Sequence, residues 1–281
     1  MEHDMESVAE APESARVDHP AIERVISEMR STTDGALSLG EMSEVAHLSP
    51  YYFARTFRKV TGISPGEFMT SLRIERAKRL LLNTDLKVGE VCFEGGYNSL
   101  GTFTTRFTQL VGLSPARLRQ LPAEATPVLD VLTSHDFFST PSSNFHSSAA
   151  TNTGVSGRIT TPDISDVLIF VGLFPGAIPQ HRPVVGTILT SPGAYRLSPV
   201  PDGSYHLMAA ALPRQVDPLA YLLPDNDLRV GRSPSPVVVR GGSTSVPAHI
   251  ALHPPRNTDP PILVALLALL LEEISTKIRA R

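Results

Sequence analysis

Arginine and lysine side chains concentrated between Ser49 and Leu82 are the groups in this sequence best suited to a chemical role. The chain as a whole has a net charge of −3, so this positive charge is a local excess, opposed only by Glu67 and Glu75. The basic residues of the segment are Arg55, Arg58, Lys59, Arg73, Arg76, Lys78 and Arg79. Exposed cations at this density can neutralise the phosphate groups of a nucleic acid. Charge alone leaves open a solvated helix surface with paired charges.

Cysteine and histidine are the other residues that could do chemistry. Cys92 lies between Val91 and Phe93, where a buried thiol behaves as a small hydrophobic group. The histidines that could join Asp202 in a metal site or an acid–base pair are His181, His206, His249 and His253. Their spacing matches no metal motif such as HExxH. We therefore expect no catalytic residue, no metal and no cofactor, and an enzyme acting through Cys92 or these histidines remains the alternative.

Composition places the chain among globular proteins, since 41% of its 281 residues are apolar and 19% are charged. This length leaves room for two domains. The longest apolar run, residues 262–271, is ten residues long and falls short of the roughly 20 that a membrane-spanning helix needs. Cys92 is the only cysteine, and the chain begins with the acidic MEHDMESVAE rather than a signal peptide. We therefore expect a cytoplasmic protein with no membrane segment.

An internal repeat organises the cationic segment and the residues that follow it. Five residues recur at an offset of 50, namely Phe53, Phe57, Gly62, Ser64 and Pro65 as Phe103, Phe107, Gly112, Ser114 and Pro115. Upstream the offset is 49, so that Leu39, Met42, His47 and Leu48 correspond to Val88, Val91, Gly96 and Tyr97. One additional residue, Asn98, accounts for the change in offset. The sequence therefore predicts two copies of one structural unit.

Each copy has the pattern of a helix, a tight turn and a second helix. In the first copy the helix LGEMSEVA precedes a turn at residues 47–48, and Ser49-Pro50 has the residue types of a helix N-cap and first turn. The second helix is predicted to end at Gly62. Phe53, Phe57 and Val60 are spaced to face inward, which places Tyr51, Arg55 and Arg58 on the opposite side. An outward row of this kind suits a helix that enters the major groove of DNA.

These motifs resemble the DNA-binding domain of the AraC/XylS family of regulators. The resemblance is carried by the following stretches: Ser49-Pro-Tyr-Tyr-Phe-Ala-Arg-Thr-Phe, Thr61-Gly-Ile-Ser-Pro, Gly96-Tyr-Asn-Ser, Phe103-Thr-Thr-Arg-Phe and Gly112-Leu-Ser-Pro. It covers about residues 21–121 and implies two helix-turn-helix lobes joined by a long helix. It also implies double-stranded DNA and RNA polymerase as partners. A connecting helix from Pro65 to Leu82 would span roughly 27 Å, near the ~34 Å of one DNA turn, so we expect residues 19–122 to bind DNA as a monomer.

The resemblance and the outward rows together identify the residues that we expect to contact DNA. They are Tyr51, Ala54, Arg55, Arg58 and Lys59 in the first copy and Gly101, Thr102, Thr105 and Arg106 in the second. The row in the second copy, formed by Gly101, Thr105 and Thr108, offers fewer strong hydrogen-bond donors than the row in the first. We therefore expect the two helices to contribute unequally to sequence recognition. Arg73, Arg76 and Arg79 fall on the connecting helix, where solvation or intramolecular pairing is expected.

The two copies depart from the family pattern at four positions. His47 stands where the family has glycine, in a turn that histidine tolerates only moderately well. Ser43 replaces an alanine, and Gly95 ends the first helix of the second copy. Thr105 stands where arginine is common, with Arg106 beside it. The resemblance therefore says least about the base contacts of the second helix.

The fold class that we predict is multidomain, with an all-α double helix-turn-helix domain followed by a small β-sandwich-like domain and a C-terminal helix. The boundaries are a disordered acidic tail at 1–18, the DNA-binding domain at 19–122, a linker at 123–153 and the second domain at 154–281. Of the 25 prolines, 19 follow Pro122, which marks the change of composition. The runs VSGRI, DVLIFVGLF, VVGTIL, YHLMAAAL and VVVR predict short strands of an antiparallel sandwich or barrel.

The second domain resembles transthyretin-like, carboxypeptidase-regulatory-like modules at two short motifs, Gly157-Arg-Ile and Pro201-Asp-Gly-Ser-Tyr-His-Leu. We predict a C-terminal helix of about five turns from Pro261, with a wide apolar face. That face would pack on its own domain and contribute to a homodimer. A small-molecule effector of this domain stays open, and so does the alternative that the protein is a structural module without regulatory DNA binding.

Overall fold

Helices form the described chain up to residue 134, and strands dominate after it. The computed structural model describes residues 13–32, 37–134, 154–161, 164, 166–214, 217–224, 227–244 and 246–279. The chain divides into two compact units, residues 1–72 with 257–259 and residues 73–256 with 260–281. Each unit contains one of the two predicted helix-turn-helix copies. No helix among the described residues is long and apolar enough to cross a membrane.

The first unit is built on helix α1, Glu13–Ser31, which contacts α2, Leu39–Ala46, and α3, Pro50–Thr61. Ile22, Ile26 and Met29 of α1 are buried at helical spacing. The predicted tail at 1–18 is corrected in part, because α1 begins at Glu13. A helix anchored by its buried turns can extend outward through backbone hydrogen bonds, which composition does not reveal. Residues 1–12 lie outside the described residues.

Four helices continue the repeat. They are α4, Pro65–Asn83, α5, Val88–Glu94, α6, Leu100–Val111, and α7, Pro115–Ser134. The single helix α4 agrees with the predicted connecting helix. The predicted linker at 123–153 is wrong at its start, because α7 continues through Pro122 to Ser134. Leu118, Leu121, Ala125 and Leu129 form a buried stripe that stabilises this helix despite its prolines. Residues 135–153 lie outside the described part of the chain.

Among the described residues of the second unit, eight strands form two sheets. The strands are β1, Val155–Thr160; β2, Val167–Phe174; β3, Val185–Leu189; β4, Gly193–Leu197; β5, Gly203–Pro213; β6, Arg229–Arg232; β7, Val237–Val239; and β8, Ile250–Ala251. One sheet has the order β4-β1-β8 and the other β3-β2-β5-β6, with β7 also paired to β5. All pairs are antiparallel except β1 with β8, which corrects the expectation of a purely antiparallel arrangement. A short helix α8, Leu219–Leu222, lies between β5 and β6.

The two sheets share one cluster of buried side chains. Val155 and Ile159 from β1 join Ile169 and Val171 from β2 in it, with Leu207 from β5. Strand β2 is buried along its whole length, which explains the uninterrupted apolar run VLIFVGLF. On its other face Phe170 contacts Tyr221 of α8, with ring centroids 6.4 Å apart. The central strand of the larger sheet is therefore covered on both sides.

The C-terminal helix α9, Leu266–Arg279, begins five residues later than predicted from Pro261. The backbone N–H groups of Leu263 and Val264 both donate to the Pro179 carbonyl at 3.0 Å, so they are engaged by a tertiary contact rather than by a helical turn. The predicted apolar stripe is buried within the chain: Leu263, Leu267, Leu270 and Ile274 are at most 2% exposed. The stripe therefore packs on the protein itself, and its contribution to self-association stays a prediction.

A buried lysine joins α4 to the segment before α9. The Nζ of Lys78 donates to the carbonyls of Ile262 at 3.1 Å and Leu263 at 3.4 Å. Its side chain is 2% exposed. Burial lowers the pKa of Lys78 from its ordinary value to about 8, with a smaller opposing effect of Glu75 and a further lowering by Arg79. The amino group is thus held at a cost in desolvation free energy that the two carbonyls partly offset.

Lys78→Met should remove a specific pH dependence of stability. Because the folded chain releases this proton near pH 8 and the unfolded chain near 10.5, the unfolded chain binds more protons between these values. Wild-type stability should therefore rise relative to the variant across this window, by about 3 kcal/mol for the full shift. Urea unfolding followed by circular dichroism at several pH values measures the difference. The exposed Lys59→Met serves as control, and a pH-independent difference for Lys78→Met would contradict the assignment.

Candidate nucleic-acid interface

The tight turns between the paired helices have the left-handed backbone that the repeat predicts. His47 ends α2 with φ 56°, and its N–H donates to the Glu44 carbonyl at 3.0 Å. Gly96 occupies the corresponding turn of the second copy with φ 73°. Gly62 and Gly112 end α3 and α6, each with φ 87°. Histidine adopts the left-handed region at a modest cost, so the departure at position 47 preserves the turn.

Aromatic clusters orient the second helix of each copy. In the first copy the ring of Phe57 lies 5.5 Å from both Phe53 and Phe68, centroid to centroid. In the second copy Phe103 lies 5.3 Å from Tyr97 and 5.5 Å from Phe107. The four repeated phenylalanines are fully buried. Because these residues point inward, the residues between them on α3 and α6 point outward.

The outward face of α3 is strongly cationic. Tyr51 is 80% exposed. Arg55, Arg58 and Lys59 are exposed as well, whereas Ala54 is half-buried. None of the three cations makes a hydrogen bond or an ion pair with another described residue. Their charges are therefore available to an external anion.

The outward face of α6 carries smaller groups. Gly101, Thr102, Thr105 and Arg106 are exposed, and the Thr102 N–H donates to the N-cap side chain of Ser99 at 3.4 Å. Thr108 is half-buried, and its hydroxyl donates to the Thr104 carbonyl at 2.8 Å. The hydroxyl of Thr108 is thereby engaged within the helix. Arg106, which makes no ion pair among the described residues, is the one cation on this face of α6.

The arginines of the connecting helix differ from those of α3. Arg76 pairs with Glu94 at 3.9 Å, and Arg79 pairs with Glu75 at 3.5 Å. Arg73 lies beside the turn at Gly96, so that a Cβ added to that glycine would meet its guanidinium at 3.2 Å. The prediction of intramolecular roles for Arg76 and Arg79 is confirmed.

Several residues that support the second copy were missed from the sequence. Arg119 of α7 donates from Nε to the Leu81 carbonyl at 3.0 Å and from Nη2 to the Leu86 carbonyl at 2.6 Å, which holds the chain as it leaves α4. The His181 N–H donates to the carbonyl of Leu110, near the end of α6. Neither contact can be predicted from local sequence spacing, because the partners lie far apart in sequence.

Two capping boxes were also missed, although their signal is present in the sequence. At the start of α4 the Glu67 carboxylate accepts from the Ser64 N–H at 2.9 Å, and the Glu67 N–H donates back to the Ser64 hydroxyl at 3.3 Å. Ser38 and Glu41 form the same arrangement at the start of α2. The spacing Ser-x-x-Glu predicts both. These caps fix where the helices before and after α3 begin.

The residues considered for catalysis make hydrogen bonds within the protein. Cys92 is buried, its thiol donates to the Tyr97 carbonyl at 3.6 Å, and burial raises the pKa of the thiol, which lowers its thiolate fraction. The Asp202 carboxylate accepts from the N–H groups of Gly241 at 3.0 Å and Gly242 at 2.8 Å, which lowers its pKa. His249 accepts from the Arg158 N–H at 3.1 Å. Within the described residues no group of three or more His, Cys, Asp or Glu could hold a metal ion.

The helical part of the chain is similar to known proteins. Residues 42–121 match the family of helix-turn-helix domains. Over 85 residues the chain is 34% identical to the bifunctional transcriptional activator/DNA repair enzyme AdaA of Bacillus subtilis (strain 168), covering 30% of this chain and 40% of that protein. It is also 34% identical over 79 residues to the HTH-type transcriptional activator Btr of the same organism, covering 28% and 15%.

A solved structure is similar over about a third of the chain. The C-terminal domain of AraT, a response regulator from Geobacillus stearothermophilus, is 30% identical, with coverage of 37% of this chain and 86% of that chain and a TM-score of 0.35. The chain spans less than half the length of the curated relatives AdaA and Btr. The described strand-rich part lies beyond the residues that the helix-turn-helix family matches.

Single substitutions on α3 and α6 test the expected inequality of the two helices. Arg55→Ala should relax discrimination at one base position by about 1–3 kcal/mol, because the variant cannot make a bidentate hydrogen bond to guanine. Thr105→Ala should cost less, since threonine offers one hydroxyl and a methyl. Binding of each variant and of Arg106→Ala to a duplex selected from random DNA, and to its single-base variants, measures the effect.

The exposed Gln120→Ala on α7 is the matched control and should leave binding unchanged. A larger loss of specificity from Thr105→Ala or Arg106→Ala than from Arg55→Ala would overturn the inequality.

Proposed function

We propose, on the premise that residues 42–121 form a helix-turn-helix domain of the AraC/XylS type, that the chain is a sequence-specific double-stranded DNA-binding transcription regulator. Helices α3 and α6 would read successive major grooves on one side of the duplex. The observation that carries this proposal is the repeated inward phenylalanine pair, with exposed residues on the outward side of each helix.

The residues have distinct proposed roles. Arg55 would donate two hydrogen bonds to a guanine, and Tyr51 would contact a thymine methyl or a phosphate. Arg58 and Lys59 would neutralise phosphates. On α6, Thr105 and Arg106 would supply the hydrogen bonds. What supports these roles is the exposure of the side chains and the absence of ion pairs between the four cationic ones and other described residues.

Gly101 and Thr102 would let the backbone at the start of α6 approach the DNA closely. A Cβ added to Gly101 would meet only the Ser99 hydroxyl at 3.9 Å within the protein, so no internal contact requires glycine there. Ala54, half-buried beside Arg55, would similarly leave room for the duplex.

The full chain, rather than residues 19–122 alone, is the proposed binding unit. Helix α6 accepts a hydrogen bond from the His181 N–H at its Leu110 carbonyl, and Lys78 of α4 donates to the Ile262 and Leu263 carbonyls in the segment before α9. A fragment ending at residue 122 would also lack the end of α7 with Ala125 and Leu129. Two reading helices in one chain still make a dimer unnecessary for binding.

Further proposals concern the strand-rich region, the protein partner and the absence of catalysis. We propose that the two sheets form a β-sandwich, as in transthyretin-like modules, supported by the buried cluster that they share. RNA polymerase as a partner rests on the regulator proposal, and the cytoplasmic location stays a prediction. We propose no catalytic role for Cys92, because its thiol is buried and its pKa is raised. The alternative, an enzyme that acts on DNA, is supported here by the similarity to AdaA alone.

Gel-shift titration of the purified full chain tests the regulator proposal. The chain should select a duplex sequence from random DNA, and the logarithm of its affinity should fall linearly with the logarithm of salt concentration. Arg58→Ala with Lys59→Ala should weaken binding to all sequences and reduce the salt slope by about one for each phosphate that is no longer neutralised. Cys92→Ala should bind like the wild type. Binding without preference among duplexes at modest salt would refute the proposal.

Gly101→Ala separates contact with DNA from protein stability. Alanine at this exposed helical position should leave the fold intact or stabilise it slightly. A lower affinity for the selected duplex, with unchanged thermal unfolding, is the expected result. Unchanged affinity would remove the start of α6 from the proposed interface.

A further inference from the structure

A cleft lies where the last turn of α4 meets the strand-rich region within the second unit. Its volume is about 310 Å³, at the lower end of the range for sites that hold small molecules. Leu212 from β5, Leu219 and Leu223 around α8, and Leu228 before β6 supply apolar surface. A cleft of this size and lining suits a molecule with a single apolar ring or a short alkyl body.

The charged groups of the cleft favour a cation. Asp217, Asp227 and Arg79 line it together with Asn83. The guanidinium of Arg79 already faces Glu75, with Nη2 and Oε1 3.5 Å apart. Asp217 Oδ1 accepts from the Leu219 N–H at 2.9 Å, which leaves its second oxygen for another donor. Asp227 is exposed and makes no hydrogen bond or ion pair with another described residue. The described lining residues therefore carry two carboxylates against one guanidinium, beside leucine side chains.

The cleft also touches the helix that connects the two helix-turn-helix copies. Arg79 and Asn83 belong to the last turns of α4, and Asn83 is its final residue. The same end of α4 is held by Arg119 through the Leu81 carbonyl. A molecule in the cleft would thus contact α4 and the strand-rich region at once. A ligand that binds two elements together shifts the equilibrium towards the arrangement in which both contacts exist.

We propose that this cleft binds a small organic cation with an apolar body and one ammonium group. The ammonium group donates to the carboxylates of Asp217 and Asp227, and the body packs on the leucine side chains. The role of this cation as the effector of DNA binding rests on the proposed regulator function, whereas its binding does not.

Calorimetric titration of the full chain without DNA tests the site. The probe is 2-phenylethylammonium, compared with neutral 2-phenylethanol and anionic 3-phenylpropanoate, which share its ring. Saturable binding of the cation is expected, about tenfold tighter than that of either analogue, because neither analogue can donate a charge-assisted hydrogen bond. Asp217→Asn with Asp227→Asn should remove this preference, since asparagine keeps the Asp217 cap while removing the charges. Asp85→Asn, an exposed change on the loop after α4, is the matched control.

Ala220→Trp provides an independent block of the cleft. Ala220 lines the cleft on α8, so an indole there should abolish binding of all three probes while circular dichroism shows a retained fold. Absence of saturable cation binding, equal binding of the three probes, or unchanged binding in the double variant would overturn the proposal.

A gel shift with the cation then tests the effector role separately. A change in affinity for the selected duplex, absent in the double aspartate variant, is the expected result. Cation binding without any change in DNA affinity would overturn the effector role and leave the site. A chain that binds cation but no DNA at all would refute the regulator function instead.

Discussion

Burial of two phenylalanines four residues apart is the constraint on which the proposed interface depends. Phe53 and Phe57 on α3 are fully buried, as are Phe103 and Phe107 on α6. Because these side chains must face the core, the orientation of each helix about its own axis is fixed. The residues that face outward are therefore determined as well. Left-handed glycines at the ends of α3 and α6 then turn the chain into the next helix. The cationic surface of α3 follows from packing inside the protein rather than from the charges themselves.

Periodic features of the chain were predictable from sequence, and features that depend on distant partners were not. The offset of 50 between Phe53 and Phe103 predicted both copies, and the left-handed turn at His47 followed from its position opposite Gly96. The end of α7 could not be predicted, because burial of Ala125 and Leu129 outweighs the helix-breaking tendency of Pro122. Apolar strands such as β2 were visible, whereas β4 and β6 are short and mix polar with apolar residues, and β8 is only two residues long.

For the candidate interface, too, periodic features were predictable from sequence, whereas the contacts that hold its helices in place were not. The residues expected on the outward faces of α3 and α6 follow from helical spacing together with the family resemblance. The contacts that hold the second copy do not, since Arg119 reaches back 38 residues to Leu81 and Lys78 reaches forward to Ile262. The Lys78 contacts tie α4 to the segment before α9, and the His181 N–H at the Leu110 carbonyl ties α6 to the strand-rich region. All of them use backbone carbonyls, which depend on fold rather than on side-chain type. A change in that region therefore has a direct physical route to α4 and α6.

A hydroxyl-radical footprint of the full chain on its selected duplex, at one protein per duplex, tests most directly whether both helices bind DNA. Two protected patches on one face of the duplex, about one helical turn or ~10 base pairs apart, are the predicted result. Protection of a single patch at saturating one-to-one binding would contradict the account, because only one of the two helices would then be in a groove.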